Sequence, residues 1–383
     1  MRADLASQTF APRRRSVIRY GVAAAITPFS FWVRAQSNVL RIGSSVDTSG
    51  VEKINGLALH QGASAYFTAL NRAGGVHGAQ VELQVADDKF TPEQAKANAL
   101  KYVADSSVLA ILHPQGTRQS AAMMDAVTTM ALVGPNTGNV SLRKKTSPNT
   151  FWVRANFDQE MDRLISQAAV LGINRIGLIH SNDPLGQALL AGYKLALGKA
   201  KLEPAVIGVT PSTNSMEVEA AAQQVAAAKP QMVILGLAGT APATVRALRK
   251  AGSAASVYGL SIASGSFATM GPEGRGLAFS IIVPSPASPR HALVRRYQAD
   301  MAALGKSKEM STTSLEGYVN AMVLAEALRR AGPAPSRAAV IAGLEKLENY
   351  DIGGMQFTFG RTNREGCSFV DIATIGARGQ LIT

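Results

Sequence analysis

The sequence predicts an α/β fold of two doubly wound, parallel-sheet lobes, and three observations lead there. Short apolar runs of strand length alternate with segments of helical periodicity through most of the chain. That alternation is interrupted near residue 156 and then starts afresh, which implies two sets of strands and helices. At 383 residues the chain also exceeds what a single core ordinarily serves.

The stretch from 110 to 139 is the clearest part of the first set. Its apolar runs 108–112 and 131–133 have strand length, and a helical pattern lies between them. The first run exits into His113-Pro114-Gln115-Gly116-Thr117 and the second into Gly134-Pro135-Asn136-Thr137-Gly138. In open parallel sheets ligands bind beyond the carboxyl ends of the strands, where helix N-termini and free amides gather. These two loops therefore read as two halves of one cradle.

The other elements follow in order. Residues 39–46 form a strand entering a polar loop at 47–50, and Leu59, Ala63, Tyr66, Phe67 and Leu70 recur at helical spacing until Gly74-Gly75. Val81, Leu83 and Val85 alternate as a strand that ends in Asp87-Asp88, and Thr91-Pro92-Glu93 opens a helix. Residues 151–154 form an extended run. A helix from 158 to 171 then begins the second set, with strands at 175–179, 205–209, 232–237 and 257–262. Residues 279–283 are extended and close with Pro284-Ser285-Pro286, a crossover signal. Helices at 290–304, 314–331 and 336–347 and strands at 355–359 and 369–375 complete the chain, and Glu326 should leave part of the middle helix's face unburied.

The N-terminus has the order of a targeting segment. Arg13, Arg14 and Arg15 precede a mostly apolar stretch from 20 to 33, and Val33-Arg34-Ala35 forms a small-residue cleavage pattern. Arg-Arg-Ser-Val-Ile-Arg within it is twin-arginine-like. Cleavage near Ala35 and a periplasmic location are the expectation. The formal charge of +13 includes +5 from residues 1–35, leaving +8 spread without a cluster or aromatic interleaving, so no nucleic acid is expected as partner.

The polar residues form no catalytic or metal-binding motif in the sequence. Cys367, alone, forms no intrachain disulfide and no CxxC site. His60, His77, His113, His180 and His291 lie far apart in sequence, although His113 and His180 end strands and are candidate pocket donors. Gly265-Ser266-Phe267 lacks the spacing of a nucleophile elbow, and residues 192–199 lack the serine or threonine that a phosphate loop needs. No cofactor, metal or enzymatic activity is expected.

Six segments, in order, resemble a known family: Leu40-Arg41-Ile42-Gly43, Asn71-Arg72-Ala73-Gly74-Gly75-Val76-His77-Gly78, Asp87-Asp88 with Pro92, Phe151-Trp152-Val153-Arg154-Ala155, Asn182-Asp183-Pro184-Leu185-Gly186 and Ser314-Leu315-Glu316-Gly317-Tyr318. Over essentially everything after residue 38 the chain is similar to the type I periplasmic binding proteins of the leucine/isoleucine/valine-binding kind, the extracytoplasmic receptors of ABC importers. The resemblance implies two lobes joined by three crossovers: residues 36–156 with 284–358, and 157–283 with 359–383. It implies a monomer that encloses a small-molecule ligand, an amino acid or related carboxylate, and delivers it to an ABC permease in the inner membrane. A ligand sensor of the same fold acting on a receptor or regulator is the alternative.

By the same resemblance, Gly116, Thr117, Asn136, Thr137 and Gly138 would grip a carboxylate, and hydroxyls and amides at helix N-termini suit an anion on physical grounds as well. The facing lobe would supply Asn182, Asp183, Leu185, Thr240 and Ser261, while Glu316 and Tyr318 would be chiefly structural. The sequence departs from the family at two places. Leu185 stands where an aromatic ring is common, and no carboxylate stands near Ile262 or Ala263, where the branched-chain binders meet the ligand's ammonium. Asp183 is the substitute at hand; a carboxylate without an amine fits these residues at least as well.

Overall fold

The computed structural model describes residues 39–145 and 147–383, so the expected signal segment with its cleavage point at Ala35 lies outside the described residues. The first set of elements runs β1 (Val39–Val46), α1 (Lys53–Arg72), β2 (Gln80–Asp87), α2 (Pro92–Ala104), β3 (Val108–Leu112), α3 (Thr117–Ala126), β4 (Ala131–Val133), α4 (Val140–Arg143) and β5 (Thr150–Phe151). The second runs α5 (Phe157–Val170), β6 (Ile176–Ser181), α6 (Pro184–Lys199), β7 (Val206–Thr210), α7 (Glu219–Ala227), β8 (Met232–Gly236), α8 (Ala241–Lys250), β9 (Ser256–Gly259), α9 (Ser264–Ala268) and β10 (Ala278–Ile281). Then come α10 (Ala292–Ala303), α11 (Thr312–Ala331), α12 (Arg337–Glu345), β11 (Tyr350–Asp351), β12 (Gln356–Phe357), β13 (Asp371–Ile375) and β14 (Leu381–Ile382).

Two mainly parallel sheets result. The first has the order β2-β1-β3-β4-β5 with every pairing parallel. The second has the order β14-β13-β10-β9-β8-β6-β7, parallel from β10 to β7 and antiparallel where the late strands β13 and β14 add to it. Strands β3, β4, β6, β8 and β10 are buried at every position. Helices covering both faces account for their unbroken apolar runs.

The late helices pack on the first sheet. Helix α11 lies against α1, and the approach is close because both present glycine: a Cβ on Gly62 would stand 1.7 Å from the Ser314 carbonyl oxygen, and one on Gly317 2.1 Å from that of Leu59. Tyr66, Tyr297 and Tyr318 meet edge to face at 5.2 and 5.4 Å beneath this contact. Most of α11 is buried, and the face that carries Glu326 opens at its C-terminal end, as expected. That residue is half-buried and pairs with Arg329 and Arg330 at 3.1 and 2.9 Å, and Arg330, next on the stripe, is exposed.

Three expected strands are shorter than their apolar runs. The run 151–154 joins the sheet only at Thr150–Phe151; Trp152 pairs instead with Glu365 in an isolated parallel bridge, and Arg154 turns to buried carboxylates. The run 257–262 ends at Gly259, because the Ser261 amide donates to Glu160 at 2.9 Å and a 3-10 turn, Ser261–Ala263, follows. The run 355–359 pairs only at Gln356–Phe357, in a hairpin with β11.

Candidate functional site

The carboxyl ends of both sheets face one cavity of about 860 Å³, a volume that includes its open mouth. On the first sheet, an isolated parallel bridge between Gln115 and Asn136 prolongs the β3–β4 pairing into the two loops. The Asn136 amide donates to the Pro114 carbonyl at 2.7 Å and the Gly116 amide to the Asn136 carbonyl at 3.3 Å, which holds the loops side by side. As a result the Thr117 and Thr137 hydroxyls lie 2.9 Å apart on the cavity wall.

Helix α3 begins there, and its N-cap is Gly116 at φ 88°, which carries no side chain to cap it. The first amides of a helix have no partner within it. Those of α3 are thus available to an anion, and the helix dipole favours negative charge at this end. Arg118, exposed and in the first turn of α3, adds a cation to the same wall.

The loop after β1 is held differently. Asp47 accepts the Ser49, Gly50 and Glu52 amides at 3.1, 2.5 and 2.7 Å, and Gln115 accepts the Asp47 amide at 2.8 Å while donating to the Glu52 carbonyl at 3.1 Å. Both peptide groups of Glu52 are therefore fixed, and its side chain enters the cavity wall, 5% exposed. There it accepts from Asn55 at 2.8 Å and, from the loop after β8, the Gly239 amide at 2.9 Å. Burial pushes its carboxyl up, against the pull of those two donors.

On the second sheet the N-terminus of α6 is already occupied. Asp183 caps it through the Gly186 amide at 3.1 Å and also accepts from Ser181 and from the amide and hydroxyl of Thr213. Burial, which would raise its pKa, is outweighed by these donors, so the group stays below its ordinary range. Asp183 thus serves as a loop cap whose oxygens already accept four hydrogen bonds. The apolar share of the wall comes from Phe90, Phe157, Leu185 and Ile262.

Behind the wall lies a buried ion network. Arg154, 2% exposed, donates to Glu316 at 3.3 Å, to Glu160 at 2.8 Å and to Ser261. Glu316 also accepts from Asn136 at 2.9 Å, and Glu160 from Ser280 at 2.6 Å. Burial disfavours the charge of Arg154, but Glu316 and Glu160 outweigh it and hold the guanidinium up. Burial pushes Glu316 up even with Arg154 beside it.

Of the residues singled out in the sequence, Gly116, Thr117, Asn136, Thr137, Asp183, Leu185 and Ser261 line this cavity. Gly138, Asn182 and Thr240 do not: the Gly138 carbonyl accepts from Phe157, the Asn182 amide donates to Thr210, and the Thr240 hydroxyl donates to the Thr213 carbonyl. His113 and His180 are buried below it rather than in its wall, and burial together with His60 pushes His113 down to about 3. Tyr318 is structural, bonded to Asp300 at 2.6 Å, but Glu316, expected to be the same, reaches the cavity. Sequence reasoning missed Glu52, Asn55, Phe90 and Arg118. Only Arg118 carried a signal, as a cation next to the Gly-Thr that opens α3.

A family model described as a periplasmic binding protein matches residues 39–380. Leu/Ile/Val-binding protein homolog 1 of Brucella abortus is 27% identical over 194 residues, 48% of this chain and 50% of that protein. The chain thus aligns with about half the length of the curated relatives it matches. A solved substrate-binding periplasmic protein from Ralstonia solanacearum is 31% identical, with 90% of this chain and 99% of that one covered and a TM-score of 0.81. An extracellular ligand-binding receptor from Verminephrobacter eiseniae is 28% identical, with the same coverage and a TM-score of 0.83.

Proposed function

Because the chain belongs to the periplasmic binding protein family, a family of binders and not of enzymes, we propose that it is the extracytoplasmic receptor of an ABC importer, capturing a small carboxylate between two lobes. The cargo class is a branched-chain or other amino acid, or a related carboxylic acid with an apolar side. The lobes are assigned to residues 36–156 with 284–358 and to 157–283 with 359–383. Release of the unchanged ligand to an inner-membrane permease completes the role, and cleavage near Ala35 would free the mature protein in the periplasm.

One observation carries this reading. The cavity is walled by strand-end loops of both sheets, and on one wall two threonine hydroxyls, the uncapped N-terminus of α3 and Arg118 converge. Hydroxyls, amides and a rim cation solvate a carboxylate without a buried counter-charge, and Phe90, Phe157, Leu185 and Ile262 suit the apolar remainder. The name of the Brucella relatives supports an amino acid as one member of the class.

A ligand favours the closed form only if it touches both lobes, since equal affinity for open and closed forms shifts nothing. A panel of aliphatic and aromatic amino acids and carboxylic acids tests the proposal through denaturant unfolding. The true ligand at 100 times its dissociation constant should add about 2.7 kcal/mol to the unfolding free energy. No stabilisation by any member would refute the carboxylate reading.

A further inference from the structure

Three carboxylates, Glu52, Asp183 and Glu316, line the cavity, and they differ in how their charge is met. Glu316 has the Arg154 guanidinium at 3.3 Å. Asp183 takes four donors and sits at the N-terminus of α6. Glu52 is 5% exposed and has two neutral donors, Asn55 and the Gly239 amide. Among the described residues it makes no ion pair and no capping bond to the amides of α1, and Asp47 beside it is a like charge. A buried carboxylate ordinarily carries a cation partner, because desolvation without one costs several kcal/mol.

The backbone makes this placement deliberate. Asp47 and Gln115 fix both peptide groups of Glu52, which sets where its side chain leaves the loop, and Asn55 and the Gly239 amide hold the carboxylate at the cavity wall. Each carboxylate oxygen accepts one hydrogen bond and keeps acceptor capacity on the cavity side.

We propose that Glu52 recognises a cationic group of the ligand, an ammonium on the same molecule whose carboxylate meets Thr117 and Thr137, so that the cargo is a small zwitterionic amino acid. This rests on the carboxylate-binding reading above and narrows it. Glu52 supplies the counter-charge from the first sheet's loop, where the departure at Ile262 and Ala263 leaves none on the second. Because the same carboxylate accepts from Gly239 across the cavity, ligand charge and the contact between the two walls meet at one residue.

The test is isothermal titration of matched pairs, leucine against 4-methylpentanoate and phenylalanine against 3-phenylpropanoate, into the wild-type protein and Glu52→Gln. Glutamine keeps an oxygen for the Gly239 amide and removes the charge; it also loses the acceptor for Asn55, a change common to both members of each pair that cancels in their ratio. The wild type should prefer at least one amino acid over its amine-free partner by about tenfold or more, and Glu52→Gln should erase that ratio by weakening the amino acid alone. A ratio unchanged in Glu52→Gln, or amine-free acids that bind the wild type as tightly as the amino acids, would overturn the Glu52 assignment and leave the carboxylate reading standing. Absence of binding by both series would overturn both. Should Glu52→Gln not fold, the matched pairs on the wild type decide by themselves.

Discussion

Thr117 and Thr137 are the residues on which ligand affinity should turn. Each hydroxyl has the other as partner at 2.9 Å, and Thr137 also accepts the Asn139 amide at 3.3 Å, so both are oriented before any ligand arrives. A hydrogen bond to a charged group contributes about 1.5–3 kcal/mol. Thr137→Val should therefore weaken carboxylate binding about tenfold or more by calorimetry; unchanged affinity would remove it from the site. Both threonines were legible as cavity candidates because their loops follow the carboxyl ends of two apolar strand runs. Glu52 was not, since its role depends on Gln115, 63 residues away, holding its carbonyl.

Asp88 carries a pH signature at this same scale. Burial pushes its carboxyl up to about 6, with Asp47 and Asp87 adding to it, while the Phe90 amide and Ser45 hydroxyl pull the other way. The folded protein thus holds this proton more tightly than the unfolded chain, whose ordinary value is 3.8. Stability should fall as pH rises from 3.8 to about 6 and level off above that. Urea midpoints across this window should show a shallower decline in Asp88→Asn than in the wild type, and parallel curves would contradict the assignment.

Among elements, the α1–α11 contact leaves no room for a side chain at Gly62 or Gly317. The Ser-Leu-Glu-Gly-Tyr segment was recognisable as a helix, but the need for Gly317 is visible only when the Leu59 carbonyl stands 2.1 Å from where its Cβ would be. Gly62→Ala and Gly317→Ala should each destabilise by about 1–3 kcal/mol or more in denaturant unfolding, because backbone and not a flexible side chain is in the way. A loss below about 0.5 kcal/mol would mean that the helices part more easily than this packing implies. The truncated strands follow a related logic. Apolar runs announced β5 and β9, but Arg154 and Ser261 turn away toward carboxylates on α5 and α11 that no local pattern reveals.

At the scale of the molecule from residue 39 onward, the order of strands and helices was readable, because alternation of period-2 and period-3.6 segments leaves few topologies. What joins the two sheets across the cavity was not. Besides Glu52 to Gly239, Asn139 donates to the Pro184 carbonyl at 3.1 Å and Thr312 to Ser264 at 2.9 Å. These contacts link segments far apart in sequence and carry no local signal. They hold the walls together around the cavity, and a ligand bridging the walls adds to them.

The measurement that bears most directly on the account is calorimetric titration of the best carboxylate in the panel into the wild type and into Thr117→Val/Thr137→Val. One site per chain is expected in the wild type, with affinity at least about tenfold weaker in the double variant while that variant still unfolds cooperatively. Equal affinity in the two proteins would place the ligand's anion elsewhere and contradict the claim that hydroxyls and amides at these strand tips hold it.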